Sequence, residues 1–478
     1  MTRTTHCRKP LDTNMKERGV TLISVFPKLN LRGVLWAGLA ACAVALMPVG
    51  QAMAAPEADA HAAVVSQPLK QLIAYALAHN PEVAATAFDG QAAAARTQTA
   101  QGALLPRITI EGGYTRYGDD LRLTAARYNG ELGVFGDNIL AADLVLRLPL
   151  YTGGRLTAEM RAAELLEASA GQRLARSRGE LVYNVSSLYY GQLAQARLID
   201  SLNFSAETLA SQLERVNALI AARKAAKVDA LRTKVKLADI RQRLLREKNN
   251  LAVQRQALLN LMGEGADFTL AGPLDPPAGE TRGIETLAAA ALEHRPDALA
   301  ARAEFEAQTA RVEAARAGHQ PTVNLVGSVG NRIMNQPTQH PAGLQTNDDV
   351  TRIGITFEMP LYEGGRTSAR VDEENAKLGA QRERLVKLQL QIRLEVATAY
   401  ANLASGLERL ASTGKVIDLA AESQRIEQEK YTLARGTVLD VLDAQSALLD
   451  AQANHIRALA DANAAAAQLA LATGENLP

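Results

Sequence analysis

Two spacings of apolar and polar residues run through this chain, and the change from one to the other is abrupt. From Arg107 to Tyr117 the period is two: Ile108, Ile110 and Tyr114 share one face, while Arg107, Thr109 and Glu111 take the other. The stretch ending at Leu148 alternates in the same way, with Leu144, Leu146 and Leu148 set against Asp143, Val145 and Arg147. Two more such stretches lie in the second half. Val323, Leu325 and Val329 alternate with Asn324 and Ser328; Ile353, Ile355, Phe357 and Met359 alternate with Arg352, Thr356 and Glu358. The pattern predicts four strands, each with one oily and one mostly polar face.

The flanking period is helical. Residues 68–78 and 81–104 predict two helices parted at Asn80-Pro81, because proline disfavours helix in the residue before it. Pro106 stops the second. After each strand pair the helical pattern runs without proline, from about 155 to 222 and from about 366 to 433. At 1.5 Å per residue each rod would reach roughly 100 Å. The chain then turns, at Ala222 to Lys227 and at Ala434-Arg435-Gly436, and a return helix ends at Gly263 or Gly474, where glycine suits a left-handed cap.

These elements occur twice. Leu148-Pro-Leu-Tyr-Thr-Gly-Gly-Arg155 returns as Met359-Pro-Leu-Tyr-Glu-Gly-Gly-Arg366, a shift of 211 positions (360 minus 149) that also carries Tyr189 onto Tyr400, Asp229 onto Asp440 and Gly263 onto Gly474. Upstream, Pro81 falls on Pro296 and Pro106 on Pro321 at a shift of 215 (296 minus 81). A register held that long marks a duplicated domain. The four-residue difference, between Pro106 and Pro149, is expected in a loop. The first repeat then spans 55–263 and the second 284–474, with a linker at 264–283 that carries Pro273, Pro276 and Pro277.

Bulk composition narrows the class. Only 4% of the 478 residues are aromatic and alanine is abundant, which suits long helices packed closely. A formal net charge of +1, with no basic cluster evident along the chain, argues against nucleic acid as a partner. Lys28 and Arg32 precede the apolar run Val34 to Val49, which contains Pro48, and Ala52-Met53-Ala54 follows: the pattern of a signal peptide over 1–54, removed before Ala55. Met15 is an alternative start. Leu39-Ala-Ala-Cys42 offers a competing lipidation site, but the apolar run continues well past Cys42. The run is also short of the roughly 20 residues a membrane-spanning helix needs. Cys7 and Cys42 are the only cysteines, so simple cleavage leaves no disulfide, thiolate or sulfur metal site.

Candidate chemistry is sparse. Gly153-Gly154 and Gly364-Gly365 stand between strand and helix, where a phosphate loop would lie, but lack the Gly-Lys-Ser/Thr ending; a tight turn is the simpler reading. Histidines 6, 61, 79, 294, 319, 340 and 455 have no metal-ligand spacing, and no serine sits in Gly-x-Ser-x-Gly. No catalytic, cofactor or metal site is expected.

Four strands are too few to close a barrel, for which about eight are needed, and an open edge is costly in lipid. Oily-out, polar-in strands about ten residues long fit an outer-membrane barrel shared by several chains. A soluble sheet packed on helices gives the same alternation. The long rods favour the barrel, since rods on a small sheet have no compact globular arrangement. The paired Pro-Leu-Tyr-x-Gly-Gly-Arg turns, the Asn80-Pro81 and Arg295-Pro296 starts, and Tyr431-Thr-Leu-Ala-Arg-Gly-Thr-Val-Leu-Asp-Val-Leu-Asp-Ala-Gln445 resemble the TolC family of outer-membrane efflux ducts, over about 68–474.

The resemblance implies a mainly α fold with a small transmembrane β part: a homotrimer whose 12-stranded β-barrel continues into an α-helical barrel in the periplasm. It implies an outer-membrane exit duct of a tripartite efflux or secretion system, with a periplasmic adaptor and an inner-membrane pump as partners and no enzymatic activity. It further implies an acidic constriction at Asp440 and Asp443, with Tyr431 and Asp229 tethering the closed end. Ala434 departs from the family's usual glycine, and Arg435 is out of register with its arginine latch. Two rivals are a structural or adhesive trimer, disfavoured because the rods lack a sustained Leu or Ile heptad, and an exported helical enzyme. The cargo is open. The leader is directly testable: intact-mass measurement of the exported protein is expected to give a start near Ala55 without lipid, and an acylated Cys42 would overturn simple cleavage.

Overall fold

The computed structural model describes residues 66–67, 69–263, 268–270, 272–433 and 435–475; the expected leader, both cysteines and Ala434 lie outside them. In chain order the elements are β1 (Ser66–Gln67), α1 (Leu69–His79), α2 (Pro81–Gly102), β2 (Arg107–Arg122), β3 (Phe135–Tyr151), α3 (Arg155–Ala221), α4 (Lys227–Met262) and β4 (Thr269–Leu270). The second half follows with α5 (Ile284–His294), α6 (Pro296–Arg316), a 3₁₀ turn (Ala317–His319), β5 (Thr322–Ile333), β6 (Asn347–Glu358), α7 (Arg366–Thr432) and α8 (Val438–Thr473). The duplication is visible in the lengths: α3 and α7 both have 67 residues, and α4 and α8 both have 36.

β2, β3, β5 and β6 form one antiparallel sheet in that order, so the β3–β5 pairing welds the two repeats and leaves β2 and β6 as open edges. The cross-strand register puts Ile108, Ile110, Leu144, Val329, Ile353 and Ile355 on one face. That face is bare, with Ile110 83% and Ile353 77% exposed. The other face carries a charge ladder: Arg147 pairs with Glu111 at 2.6 Å, and Arg332 grips both oxygens of Asp143 at 2.8 and 2.9 Å. The strands close up tightly beside that grip. A Cβ on Gly330 would stand 2.0 Å from an oxygen of Asp143 and 2.3 Å from the Ala142 carbonyl, so only glycine fits.

The four-residue difference between the repeats falls elsewhere than in a loop. β2 and β3 have 16 and 17 residues against 12 in each of β5 and β6, and the β2–β3 register slips between Arg116 and Leu121. The extra residues lengthen the strands and form an irregularity. At the other end of the sheet Gly153-Gly154 and Gly364-Gly365 have φ of 65°, 85°, 64° and 79°. Side chains rarely adopt this backbone, and it folds the chain straight from strand into rod.

Side by side, the helices run α4–α3–α8–α7 in the half away from the sheet and α2–α3–α6–α7 in the half near it. α4 ends where α2 begins, and α8 ends where α6 begins. Each rod is therefore lined by two shorter helices meeting head to tail. In the first repeat Asn80 makes the joint: its carbonyl oxygen accepts from the Glu82 and Val83 amides at 2.9 and 3.1 Å, and its amide donates to the Leu261 carbonyl at 2.8 Å. One residue thus satisfies an orphan end on each helix.

In the second repeat Arg295 stands at the same joint. Its guanidinium, 1% exposed, donates to the Ala472 carbonyl at 3.2 Å, to both oxygens of Asp297 and to Glu395 at 2.7 Å. Ala472 lies 211 positions after Leu261, so both joints grip the same carbonyl. Three apolar clusters fill the spaces between rods. One lies at each joint, around Leu72, Tyr189 and Leu258 and around Leu287, Ile392 and Leu469, and the third lies near the far ends. Phe268 and Leu274, expected only as linker, lie in the first of these. Gly474 has the left-handed φ and ψ anticipated for a cap, whereas Gly263 combines a φ of 85° with an extended ψ.

Arg295→Ala is expected to cost about 2 kcal/mol, less than for a fully buried pair because Asp297 and Glu395 remain 23% and 36% exposed. Asn80→Ala is expected to cost about 1 kcal/mol. Burial alone would raise the pKa of Asp297, but hydrogen bonding and charge from Arg295 outweigh it and hold the carboxyl below its usual range. Its contribution is therefore full above pH of about 4 and fades as pH falls toward its folded pKa. Thermal unfolding of wild type and Arg295→Ala should differ at neutral pH and converge in acid.

Candidate constriction at the far ends of the rods

The α3–α4 and α7–α8 turns lie together at the end of the rods farthest from the sheet. A shared apolar cluster holds them: Val216 of α3, Ala230 of α4 and Val438 and Leu442 of α8 are all buried in it, with Tyr431 packed against them. In the first turn Arg223 takes a left-handed φ of 57°, and the Lys224 amide donates to the Leu219 carbonyl at 2.7 Å. The second turn has the matching bond 211 positions later, from the Arg435 amide to the Lys430 carbonyl at 2.8 Å.

α8 opens on a capping box. The Asp440 amide donates to Thr437 Oγ1 at 3.3 Å, and the Asp440 carboxylate accepts from the Thr437 amide at 2.9 Å and from its hydroxyl at 2.7 Å. Val438, Val441, Leu442, Ala444 and Gln445 are buried, which turns Asp440 and Asp443 outward together on the opposite side. The two Thr437 hydrogen bonds, from its hydroxyl and its amide, hold the Asp440 carboxyl below its usual range. Asp229 sits at the corresponding point of α4, but its cap residue is Ala226, which has no side-chain hydrogen bond to give.

Tyr431, in the last turn of α7, and Asp229, in the first turn of α4, come within electrostatic reach of each other. Burial pushes the Tyr431 phenol up, the Asp229 charge pushes it further, and Arg215 of α3 opposes both. The phenol therefore stays protonated at neutral pH and keeps a proton to donate. Two contributors escaped the sequence reading. Thr437 was legible, since Thr-x-x-Asp before an apolar run is a capping signature; Arg215 was not, because no motif or repeat position marks it.

Among the described residues, no group of three or more His, Cys, Asp or Glu side chains could hold a metal ion. Both glycine pairs serve the strand-to-rod turns. Nδ1 of His79 and of His294 each bonds the carbonyl four residues back, at 2.9 and 3.0 Å, at the ends of α1 and α5. No helix among the described residues is long and apolar enough to cross a membrane.

Comparison with known proteins bears on the whole arrangement. The sequence model described as outer membrane efflux protein matches residues 72–264 and 287–475. The outer membrane protein TolC of Escherichia coli (strain K12) is 22% identical over 398 residues, covering 80% of this chain and 77% of its own length. The toluene efflux pump outer membrane protein TtgF of Pseudomonas putida is 27% identical over 402 residues, covering 80% and 78%. Among solved structures, the outer membrane protein VceC of Vibrio cholerae superposes with a TM-score of 0.70 at 20% identity, over 85% of this chain and 96% of that one.

The capping box generates its own test. Thr437→Val keeps side-chain volume but removes the hydroxyl, and is expected to destabilise the first turn of α8 by about 1 kcal/mol. Amide exchange at Leu439, Asp440 and Val441 should speed up while the joints at Asn80 and Arg295 keep their protection.

Proposed function

The chain belongs to the outer membrane efflux protein family, and we propose that three copies of it close into one continuous duct whose far end is ringed by Asp440 and Asp443. It is an outer-membrane efflux channel with a long helical extension into the periplasm. The family is one of channels rather than enzymes. Trimer formation is supported above all by the open sheet, whose bare oily face and charged opposite face suit a wall between lipid and water. β2 and β6 run antiparallel, so β2 of one copy can pair with β6 of the next, and three four-stranded sheets make a 12-stranded barrel.

The same rotation surrounds the tunnel with rods. The mature chain is taken to begin near Ala55, after removal of 1–54, and to comprise repeats at 55–263 and 284–474 joined by 264–283. A periplasmic adaptor and an inner-membrane pump supply the cargo and the energy; this chain supplies a water-filled path. Tyr431 and Asp229 tie the far end shut, with Arg215 beside them.

Three copies of two aspartates put six carboxylates around one axis. Thr437 lowers the pKa of Asp440 within one chain, whereas crowding by the symmetry copies would raise it, and multivalent cations relieve that crowding. Charge must be removed without removing the cap. Asp440→Asn keeps an oxygen to accept from Thr437, so Asp440→Asn with Asp443→Asn isolates the charge. The extracted wild type is expected to migrate as a trimer in mild detergent, and its single-channel current to be blocked by divalent or trivalent cations from the periplasmic side. The double variant should remain trimeric and lose the block. A stable water-soluble monomer would overturn the duct, and an unchanged block would remove the aspartates from the conduction axis.

A further inference from the structure

Where the sheet gives way to the rods, the first turns of α3 and α7 and the last turns of α6 frame a cavity of about 640 Å³, a size that suits a small ligand. Small residues at the end of α6 and just past it, Ala314, Ala315 and Gly318, leave it roomy. Its walls carry five cations, Arg155, Arg311, Arg366, Arg370 and Lys377, against three carboxylates. Those acids are already engaged. Glu159 pairs with Arg155 at 3.1 Å and Glu363 with Arg366 at 2.5 Å, while Glu374 shares Lys377 with Glu373, which lies outside the cavity. Two guanidiniums are left over: Arg311 has only a 3.5 Å bond to Gln308, and Arg370 has no hydrogen bond or ion pair among the described residues.

The excess of cations comes from divergence between the repeats. At the shift of 211, Arg366 corresponds to Arg155, but Arg370 stands in place of Glu159 and Lys377 in place of Leu166. The cavity also has a defined side. Arg161, Ala168 and Ala175 recur every seventh position along α3 and are exposed, and the same row continues at Val182 and Tyr189 into the apolar cluster that holds α1. Glu159, Leu166 and Arg173 each stand two positions before a member of that row, about 200° round the helix. Glu159 lines this cavity, and all three line its continuation between α2 and α3. The cavity therefore opens on the side of the rods that α1 leaves bare. In a closed duct the added layer lies outside, and the bare side lines the tunnel.

We propose that this cavity binds the phosphate group of an anionic solute, once in each copy around the tunnel just below the barrel, and that Arg311 and Arg370 are its principal ligands. This rests on the trimeric duct proposed above and adds a ligand class at the end opposite the aspartates. A phosphate monoester carries a charge of about −1.5 to −2 at neutral pH, which two unpaired guanidiniums match. Each guanidinium also presents a planar fork of donors to the phosphate oxygens. The pairs Arg155–Glu159 and Arg366–Glu363 are partly exposed, so both arginines exchange partners at little cost and can turn toward a bound dianion. Three copies surround the head of the tunnel with unpaired positive charge. The two ends of the duct then differ in sign, anions gathering at the head and cations at the far end.

The probe is inorganic phosphate, titrated calorimetrically into full-length trimer in mild detergent and a phosphate-free buffer. Saturable binding is expected, weakened roughly tenfold or more in Arg370→Gln and lost in Arg311→Gln with Arg370→Gln. Both side chains are exposed, so the double variant should still migrate as a trimer. In single-channel recordings phosphate added from the barrel side should reduce the wild-type current. The double variant should lose that effect and shift toward cation preference, while keeping the cation block at the aspartates. Wild-type trimers that bind no phosphate, or double-variant trimers that bind it as tightly as wild type, would overturn the site and leave the duct intact. Phospholipid that co-purifies with wild type but not with the double variant, and that phosphate fails to displace, would set the cavity against the membrane instead of the tunnel and overturn the proposal as well. A protein that never forms trimers would remove the duct and the tunnel site together.

Discussion

Every backbone amide and carbonyl in a membrane interior must find a partner within the protein, and that requirement governs this architecture. The sheet satisfies it everywhere except along β2 and β6, the two edges left by its order. The oily face, bare in one copy, is suited to hydrocarbon and unsuited to water. The rods are bound to the same sheet, because each strand pair passes into its rod through two consecutive glycines with left-handed backbone.

Within the periplasmic half, order depends on helix ends. A head-to-tail joint brings the negative end of one helix dipole to the positive end of the next, and each of the two joints places a buried polar side chain there. Asn80 does so as a neutral donor and acceptor, Arg295 as a charge shared between two acids. The duplicated repeats thus kept the carbonyl to be satisfied and changed the chemistry that satisfies it. The far ends diverged in the same manner, since Asp440 retains its threonine cap and Asp229 faces an alanine.

Much of this was legible in the sequence because the relevant signals are local or periodic. Alternation identified the four strands and their faces, the proline positions parted α1 from α2 and α5 from α6, and the glycine pairs marked where strands become rods. What escaped depends on distance or on compensation. The four-residue difference became longer strands and a slipped register, because the missing information was how β2 pairs with β3. Arg223 holds a left-handed backbone without being glycine, and Arg215 approaches Tyr431 only through the packing of α3. The cations at the head of the rods disappeared into an overall charge of +1, since α3, α6 and α7 each contribute only some of them. The positions of Asp229 and Asp440 were identified from the repeat, and their unequal capping was legible too, in Thr437 three residues before one and Ala226 three before the other, but went unread.

The equal lengths of α3 and α7, and of α4 and α8, restrict how such a chain can evolve. One residue inserted into a rod turns everything beyond it by about 100° and advances it by about 1.5 Å, moving apolar rows away from their neighbours. A lone insertion in one rod would also leave its far end out of level with the other. Viable changes in rod length must therefore arrive as whole heptads and in both repeats, an improbable coincidence of mutations. The segments after β2 and between the repeats carry no such phase, and they are where lineages of this duct are free to lengthen.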